Sequence, residues 1–151
     1  MTKSNPTQKL IYIVEDDQFL AAHLARTLSH HQVEIFTNGV SAIQRIDSQL
    51  PDLLVLDIIL DGPSGFSLLH ELQSYSDTAA IPVIICSSID LSDHDLAHYG
   101  VVAILDKTTM LPSDLSDLVD QVFASDVKNT TPLTTVQQPP ISTQTELITD
   151  A

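Results

Sequence analysis

The chain has 151 residues, 43% of them apolar, and 20 acidic side chains against 6 basic ones give a formal charge of −14. That length suits one domain of ordinary size, and the charge disfavours nonspecific binding to nucleic acid or to anionic membranes. A single cysteine, Cys86, excludes an intramolecular disulfide. No apolar run approaches a membrane span, and the start Met1-Thr2-Lys3-Ser4-Asn5-Pro6 lacks the apolar centre of a secretion signal, so a cytoplasmic location is expected.

Residues 1–8 are polar and read as a flexible N-terminus. Leu10-Ile11-Tyr12-Ile13-Val14 is a continuous apolar run, the pattern of a strand buried on both faces, and it ends in Glu15-Asp16-Asp17. Leu20, Leu24 and Leu28 then recur at helical spacing, with Asp17 placed to cap that helix. Val33-Glu34-Ile35-Phe36 alternates as a short strand. Asn38-Gly39 marks a turn, and Ile43, Ile46 and Leu50 form the stripe of a helix stopped at Pro51.

Leu53-Leu54-Val55-Leu56 is the next apolar run, and it ends in Asp57. Ser64 is a suitable N-cap for a helix carrying Phe66, Leu69 and Leu72. Ile81-Pro82-Val83-Ile84-Ile85-Cys86 reads as the fourth strand, with Ser87-Ser88 at its carboxyl end. Residues 90–99 are assigned to a short acid- and histidine-rich helix. Val101-Val102-Ala103-Ile104-Leu105 is the fifth strand and runs into Asp106-Lys107; Pro112 then opens a last helix through Leu115, Leu118, Val119 and Val122. Strictly alternating strands and helices predict a doubly wound α/β domain over residues 9–124, a parallel sheet with helices on both faces. Residues 125–151 are rich in Thr, Ser, Gln and Pro and are expected to be a disordered tail or linker stub.

In such a sheet the functional crevice lies at the carboxyl ends of the strands. That edge collects Glu15 and Asp16, with Asp17 just beyond, then Asp57, Ser87 and Lys107, the last being the sole lysine between Leu10 and Phe123. Each residue has an ordinary reading: Asp57 as a turn cap, Ser87 as a helix cap, Lys107 as a surface lysine. Together they describe a pocket, because neighbouring strands are roughly 5 Å apart. Several carboxylates in one pocket repel unless a cation joins them, and Mg²⁺ is the economical choice. A hydroxyl and a lysine at the rim are the donors a transferring phosphoryl group requires, with Asp57 as its acceptor.

These residues give a clear resemblance. Ile13-Val14-Glu15-Asp16-Asp17, Leu54-Val55-Leu56-Asp57 with Gly62-Pro63-Ser64-Gly65-Phe66, Pro82-Val83-Ile84-Ile85-Cys86-Ser87-Ser88, and Ile104-Leu105-Asp106-Lys107 resemble, in order and spacing, a response-regulator receiver domain of two-component signalling. The likeness covers residues 9–124. It implies the flavodoxin-like (βα)5 sheet with strand order 2-1-3-4-5. It further implies Asp57 as phosphoacceptor and Mg²⁺ held by Asp16, by Glu15 through water, by Asp57 and by the backbone carbonyl of Ile59. A one-residue shift would move the acidic pair onto Asp16 and Asp17. Ser87 and Lys107 match the switch hydroxyl and the phosphate-contacting lysine.

Three positions depart from the family pattern. Thr108 stands where the family has a proline after a cis bond, and a cis bond before a non-proline costs about 2.5–4 kcal/mol. Ile104 occupies the aromatic switch position, and Ser88 replaces a small alanine. The expected function is a stand-alone receiver, taking a phosphoryl group from a sensor histidine kinase or histidine phosphotransfer protein and switching contacts with a downstream protein. It is not expected to be a turnover enzyme. Residues 125–151 are too few for a DNA-binding module, so no direct DNA binding is expected. Ile104 and Thr108 favour a rival, a pseudo-receiver that binds partners without phosphorylation. A haloacid-dehalogenase-type hydrolase is disfavoured, because its second aspartate would have to stand at Ile59.

Overall fold

A computed structural model describes residues 8–125 and the backbone of Thr134–Val136. In chain order the elements are β1 (Leu10–Val14), α1 (Gln18–Thr27), β2 (Gln32–Phe36), α2 (Gly39–Ser48), β3 (Leu53–Leu56), α3 (Gly65–Leu72), α4 (Ser76–Ala79), β4 (Val83–Ser87), a 3₁₀ turn (Ala97–Tyr99), β5 (Val101–Asp106), α5 (Pro112–Ala124) and β6 (Thr134–Val136). All strand pairings are parallel, in the order β2-β1-β3-β4-β5-β6. The predicted order 2-1-3-4-5 is present, with a sixth strand added beside β5.

Alternation along the strands divides the core in two. Ile11 and Ile13, Leu53 and Val55, Ile84 and Cys86 face Leu24, Leu28, Leu115 and Val119 of the α1–α5 side. Tyr12 and Val14, Leu54 and Leu56, Val83 and Ile85 face Ala42, Ile46, Leu68, Leu69 and Leu72 of the α2–α3 side. Strands buried on both faces can carry no polar side chain mid-run, and this is why β1, β3 and β4 are wholly apolar until they end. The helix starts follow from their caps. Asp17 accepts from the Phe19 and Leu20 amides, Asn38 from Ser41, and Ser64 from Ser67. At α5, Pro112 takes the first helical position and Asp114 Oδ2 accepts the Leu111 N–H at 2.7 Å.

The helix assigned to residues 90–99 does not form. That segment is a series of turns closed by the 3₁₀ turn at Ala97–Tyr99. Its buried apolar side chains, Leu91 and Leu96, are five residues apart, a spacing that puts them on different faces of a helix. Asp90 Oδ1 accepts the Ser92 N–H at 2.9 Å, which diverts the backbone into a local turn instead. The one-turn α4 was not foreseen, and α2 ends at Ser48, leaving Leu50 exposed rather than on its stripe. The fourth strand begins at Val83, after Pro82. The expected loose residues 1–7 and most of the tail over 125–151 lie outside the described residues.

His31, at the start of β2, packs its ring against Phe123 of α5, and its Nδ1 accepts the Lys9 N–H at 3.2 Å. Burial, with a smaller contribution from neighbouring His30, holds its pKa below the ordinary imidazole value. Protonation would turn Nδ1 into a donor facing a donor. A histidine whose folded pKa is depressed contributes stability above its unfolded pKa, and that contribution is lost as pH falls through the lower folded value. Denaturant unfolding should therefore show parent and His31→Gln separated by more at pH ~7.5 than at pH ~5.5. A separation independent of pH would count against this role.

Candidate functional site

Register sets the site. Val14 is the partner of Leu56 in the β1–β3 ladder, so the next residues, Glu15 and Asp57, leave the sheet side by side. The Asp57 N–H donates to Val14 O at 3.0 Å and the Glu15 N–H to Phe36 O at 2.9 Å, which fixes both backbones. On the far side Ser87 pairs with Asp106, and the Lys107 N–H donates to Ser87 O at 3.0 Å. Lys107 therefore starts from the end of β5 and reaches back across β4. Its Nζ lies 2.7 Å from Asp57 Oδ2 and also forms an ion pair with Glu15 Oε1.

Glu15 is 1% exposed and Asp57 5%, so these carboxylates are largely out of water. Burial is the main cause that pushes the Glu15 carboxyl up to about 7, against the pull of Lys107. Burial alone would lower the Lys107 ammonium, but hydrogen bonds to Asp57 and Glu15 outweigh it and raise its pKa. Both shifts favour the protonated forms, so the ammonium stays charged and Glu15 holds a proton more readily than a free carboxylate does.

Asp16 completes the cluster. One carboxylate oxygen from each of Glu15, Asp16 and Asp57 lies within 4.8 Å of the other two. Three carboxylates share the pocket with one ammonium, and buried Glu15 Oε1 has that ammonium as its charged partner. This donor set fits a small hard cation bound through oxygen. Asp17 is elsewhere: its Oδ1 accepts the Phe19 and Leu20 amides at 3.0 and 3.1 Å, so its carboxylate serves as the α1 cap. Ile59 lies in the loop after β3, its N–H donating to Asp57 Oδ1 at 3.2 Å.

Ser87 is buried at the carboxyl end of β4, and its hydroxyl accepts the Ile89 N–H at 3.4 Å rather than joining the carboxylates. The described peptide bonds are trans, including Lys107–Thr108. Thr108 uses what a proline would lack: its N–H donates to Asp106 Oδ1 at 2.8 Å and its hydroxyl to the same oxygen at 2.6 Å. Ile104 is half-buried against the α2–α3 core.

Gly65 is a requirement the sequence pattern did not explain. Its N–H donates to Ile58 O at 2.8 Å, and a Cβ there would lie 2.7 Å from Ile58 Cα and collide with the Asp57 carbonyl. Only glycine lets the start of α3 rest on the backbone that carries Asp57. A second trio, His30, His31 and Asp120, also brings ligand atoms within 4.8 Å of one another. There the Lys9 N–H occupies the His31 Nδ1 lone pair, so in neutral His31 the proton sits on Nε2 and blocks it as a ligand.

Two outcomes follow from this geometry. Gly65→Ala should destabilise the fold by about 1–3 kcal/mol, as overpacking against rigid backbone does, measured by urea unfolding; a neutral result would mean the α3 start moves freely. Because its folded pKa is raised, Glu15 contributes stability below about 4.5 that is lost as pH rises through about 7. Glu15→Gln should thus gain on the parent at pH ~8 and lose that advantage by pH ~4.5, with no crossover if Glu15 titrates normally.

Comparison with known proteins agrees with this geometry. The family model for the response regulator receiver domain matches residues 11–122. The heme response regulator HssR of Staphylococcus aureus is 30% identical over 115 residues, which are 74% of this chain and 49% of that protein. Response regulator MprA of Mycobacterium ulcerans is 30% identical over 116 residues, 76% of this chain and 48% of its own length. The chain thus spans about half the length of the curated relatives it matches. Among solved structures, the receiver domain of a signal transduction histidine kinase from Syntrophus aciditrophicus superposes with a TM-score of 0.69 at 27% identity, covering 83% of this chain and 97% of that one. A receiver domain protein from Methanospirillum hungatei shares the fold at 20% identity, with a TM-score of 0.69 over 78% of this chain and 95% of its own. With its family model covering residues 11–122, which include the site residues, the chain belongs to the response regulator receiver domains of two-component signalling.

Proposed function

We propose that the chain is a phosphoacceptor switch, with Asp57 taking a phosphoryl group from a phosphohistidine on a sensor kinase or histidine phosphotransfer protein. The observation that carries this reading is the bridge from Lys107 Nζ to Asp57 and Glu15, with Asp16 beside them. A charged donor beside Asp57 supports its role as the nucleophile in this reading. In the transfer an Asp57 oxygen attacks phosphorus, the bond from phosphorus to the donor imidazole nitrogen breaks, and the imidazole leaves with that electron pair. Lys107 then has a phosphoryl oxygen to contact in place of the free carboxylate. Glu15, Asp16, Asp57 and the Ile59 carbonyl would hold Mg²⁺, which supplies charge neutralisation at the phosphoryl oxygens. Ser87 accepts the Ile89 N–H, so its own O–H is the group that would donate to a phosphoryl oxygen.

In this reading the chain turns over no substrate: it catalyses its own phosphorylation and hydrolysis and acts through contacts with a downstream protein. Among the described residues no helix is long and apolar enough to cross a membrane; a cytoplasmic location belongs to the proposal. The pseudo-receiver reading draws on Ile104 and on the trans Lys107–Thr108 bond.

One experiment separates the two. Incubation with acetyl phosphate should add one phosphoryl group to the intact protein in a Mg²⁺-dependent way, read by mass spectrometry, and Asp57→Asn should abolish the gain. Lys107→Ala should slow it at least roughly tenfold. No gain under conditions that modify another receiver would leave the pseudo-receiver as the function.

A further inference from the structure

The two edges of the sheet are built differently. At β2, Glu34 stands mid-strand and is held by Arg45 at 3.1 Å, so a strand arriving there meets charge. β5 reads Val101-Val102-Ala103-Ile104-Leu105-Asp106, with five apolar residues and neither proline nor lysine to blunt it. An unpaired strand of that composition is a template for pairing with another chain. Here it is paired. β6 lies along it in parallel, Ala103 opposite Thr134, Ile104 opposite Thr135 and Leu105 opposite Val136.

The sequence of β6 suits this position and no longer one. Thr134, Thr135 and Val136 are all β-branched. Pro132 precedes them and Pro139-Pro140 follow, and a proline cannot donate to a ladder. The pairing is therefore confined to a few residues, strong enough to hold only because the strand belongs to the same chain. A tether of this kind gives an effective concentration of about millimolar.

We infer that the outer edge of β5 is a strand-acceptor site, and that its resident occupant is the chain's own segment Thr134–Val136, which closes the edge to strand addition by another protein. A second copy is the less suitable occupant, since it would have to displace a tethered strand already in register. The site recognises backbone and β-branched side chains, the chemistry of an extended apolar or threonine-rich segment. It lies on the strand that ends in Asp106 and Lys107, so opening or closing it acts on the same element that carries the site lysine.

Hydrogen exchange on the full chain tests this. In the parent, the amides of Thr134–Val136 should be protected relative to those of Gln137 and Gln138. In Thr134→Pro/Thr135→Pro, the β5 amides that point away from β4 should exchange at least tenfold faster, while β1 and β3 keep their protection. A peptide of residues 130–140 added in excess to that variant should restore β5 protection. Unchanged β5 exchange in the variant, or a peptide without effect, would overturn the acceptor site. If the variant also loses protection in β1 and β3, the parent decides alone: Thr134–Val136 exchanging as fast as Gln137 would refute the occupant.

Discussion

One ammonium holds the functional edge of this domain together. Lys107 is the only lysine between Leu10 and Phe123, and its Nζ joins the ends of three strands by contacting Glu15 after β1 and Asp57 after β3 from its own place after β5. Buried charges are tolerated only when paired, and a pair with one member removed is costly. Here three carboxylates share one partner, so the pairing is incomplete by design of the residue set. Burial raises the pKa of Glu15 in spite of Lys107. Carboxylates crowded out of water around one ammonium are destabilising for the fold, and the same crowding suits the site to an incoming cation.

The rest of the structure serves to place those groups. Parallel strands in register bring Glu15 and Asp57 out at one level, because Val14 and Leu56 are paired one residue earlier. The register itself rests on the apolar alternation that feeds two separate cores, and slipping it by one residue would send every side chain to the wrong face. Gly65 then lets α3 begin directly on the Asp57 backbone. The position of the Asp57 carboxylate is thus a consequence of packing many residues away from it, while its charged contact is the single lysine.

What was legible in the sequence was what local pattern determines. Continuous apolar runs ending in acid located β1 and β3 along with Glu15, Asp16 and Asp57, and Asp17, Asn38 and Ser64 marked helix starts through their side-chain oxygens. The helix read over residues 90–99 failed because polar composition and short length do not make a helical face; Leu91 and Leu96 needed one and had none. β6 was hidden for the opposite reason. Its Thr-Thr-Val run is a strand pattern, but it sits among Gln and Pro, and only the bare apolar edge of β5 gives it a reason to pair. The Ser87 hydrogen bond to Ile89 is a local turn contact that the apolar pattern of β4 does not announce.

Two of the three departures from the family pattern, Ile104 and Thr108, bear on how a change at the site would travel. With Ile104 in place of an aromatic ring, there is no large planar side chain at that position to swing between a buried and an exposed pocket. What connects Lys107 to the remainder of the domain is main chain: its N–H to Ser87 O, the Ser87–Asp106 pairing, and the turn in which Thr108 donates twice to Asp106. That turn uses an N–H a proline would not have, so Thr108 replaces one way of fixing the loop with another. A displacement of Lys107 is therefore delivered to the ends of β4 and β5 as backbone strain, and the nearest element held by few hydrogen bonds is β6. Coupling through discrete, weakly held elements requires less distortion than bending a close-packed core. By that criterion the edge of the sheet, rather than a rotating ring, is where this receiver has room to change.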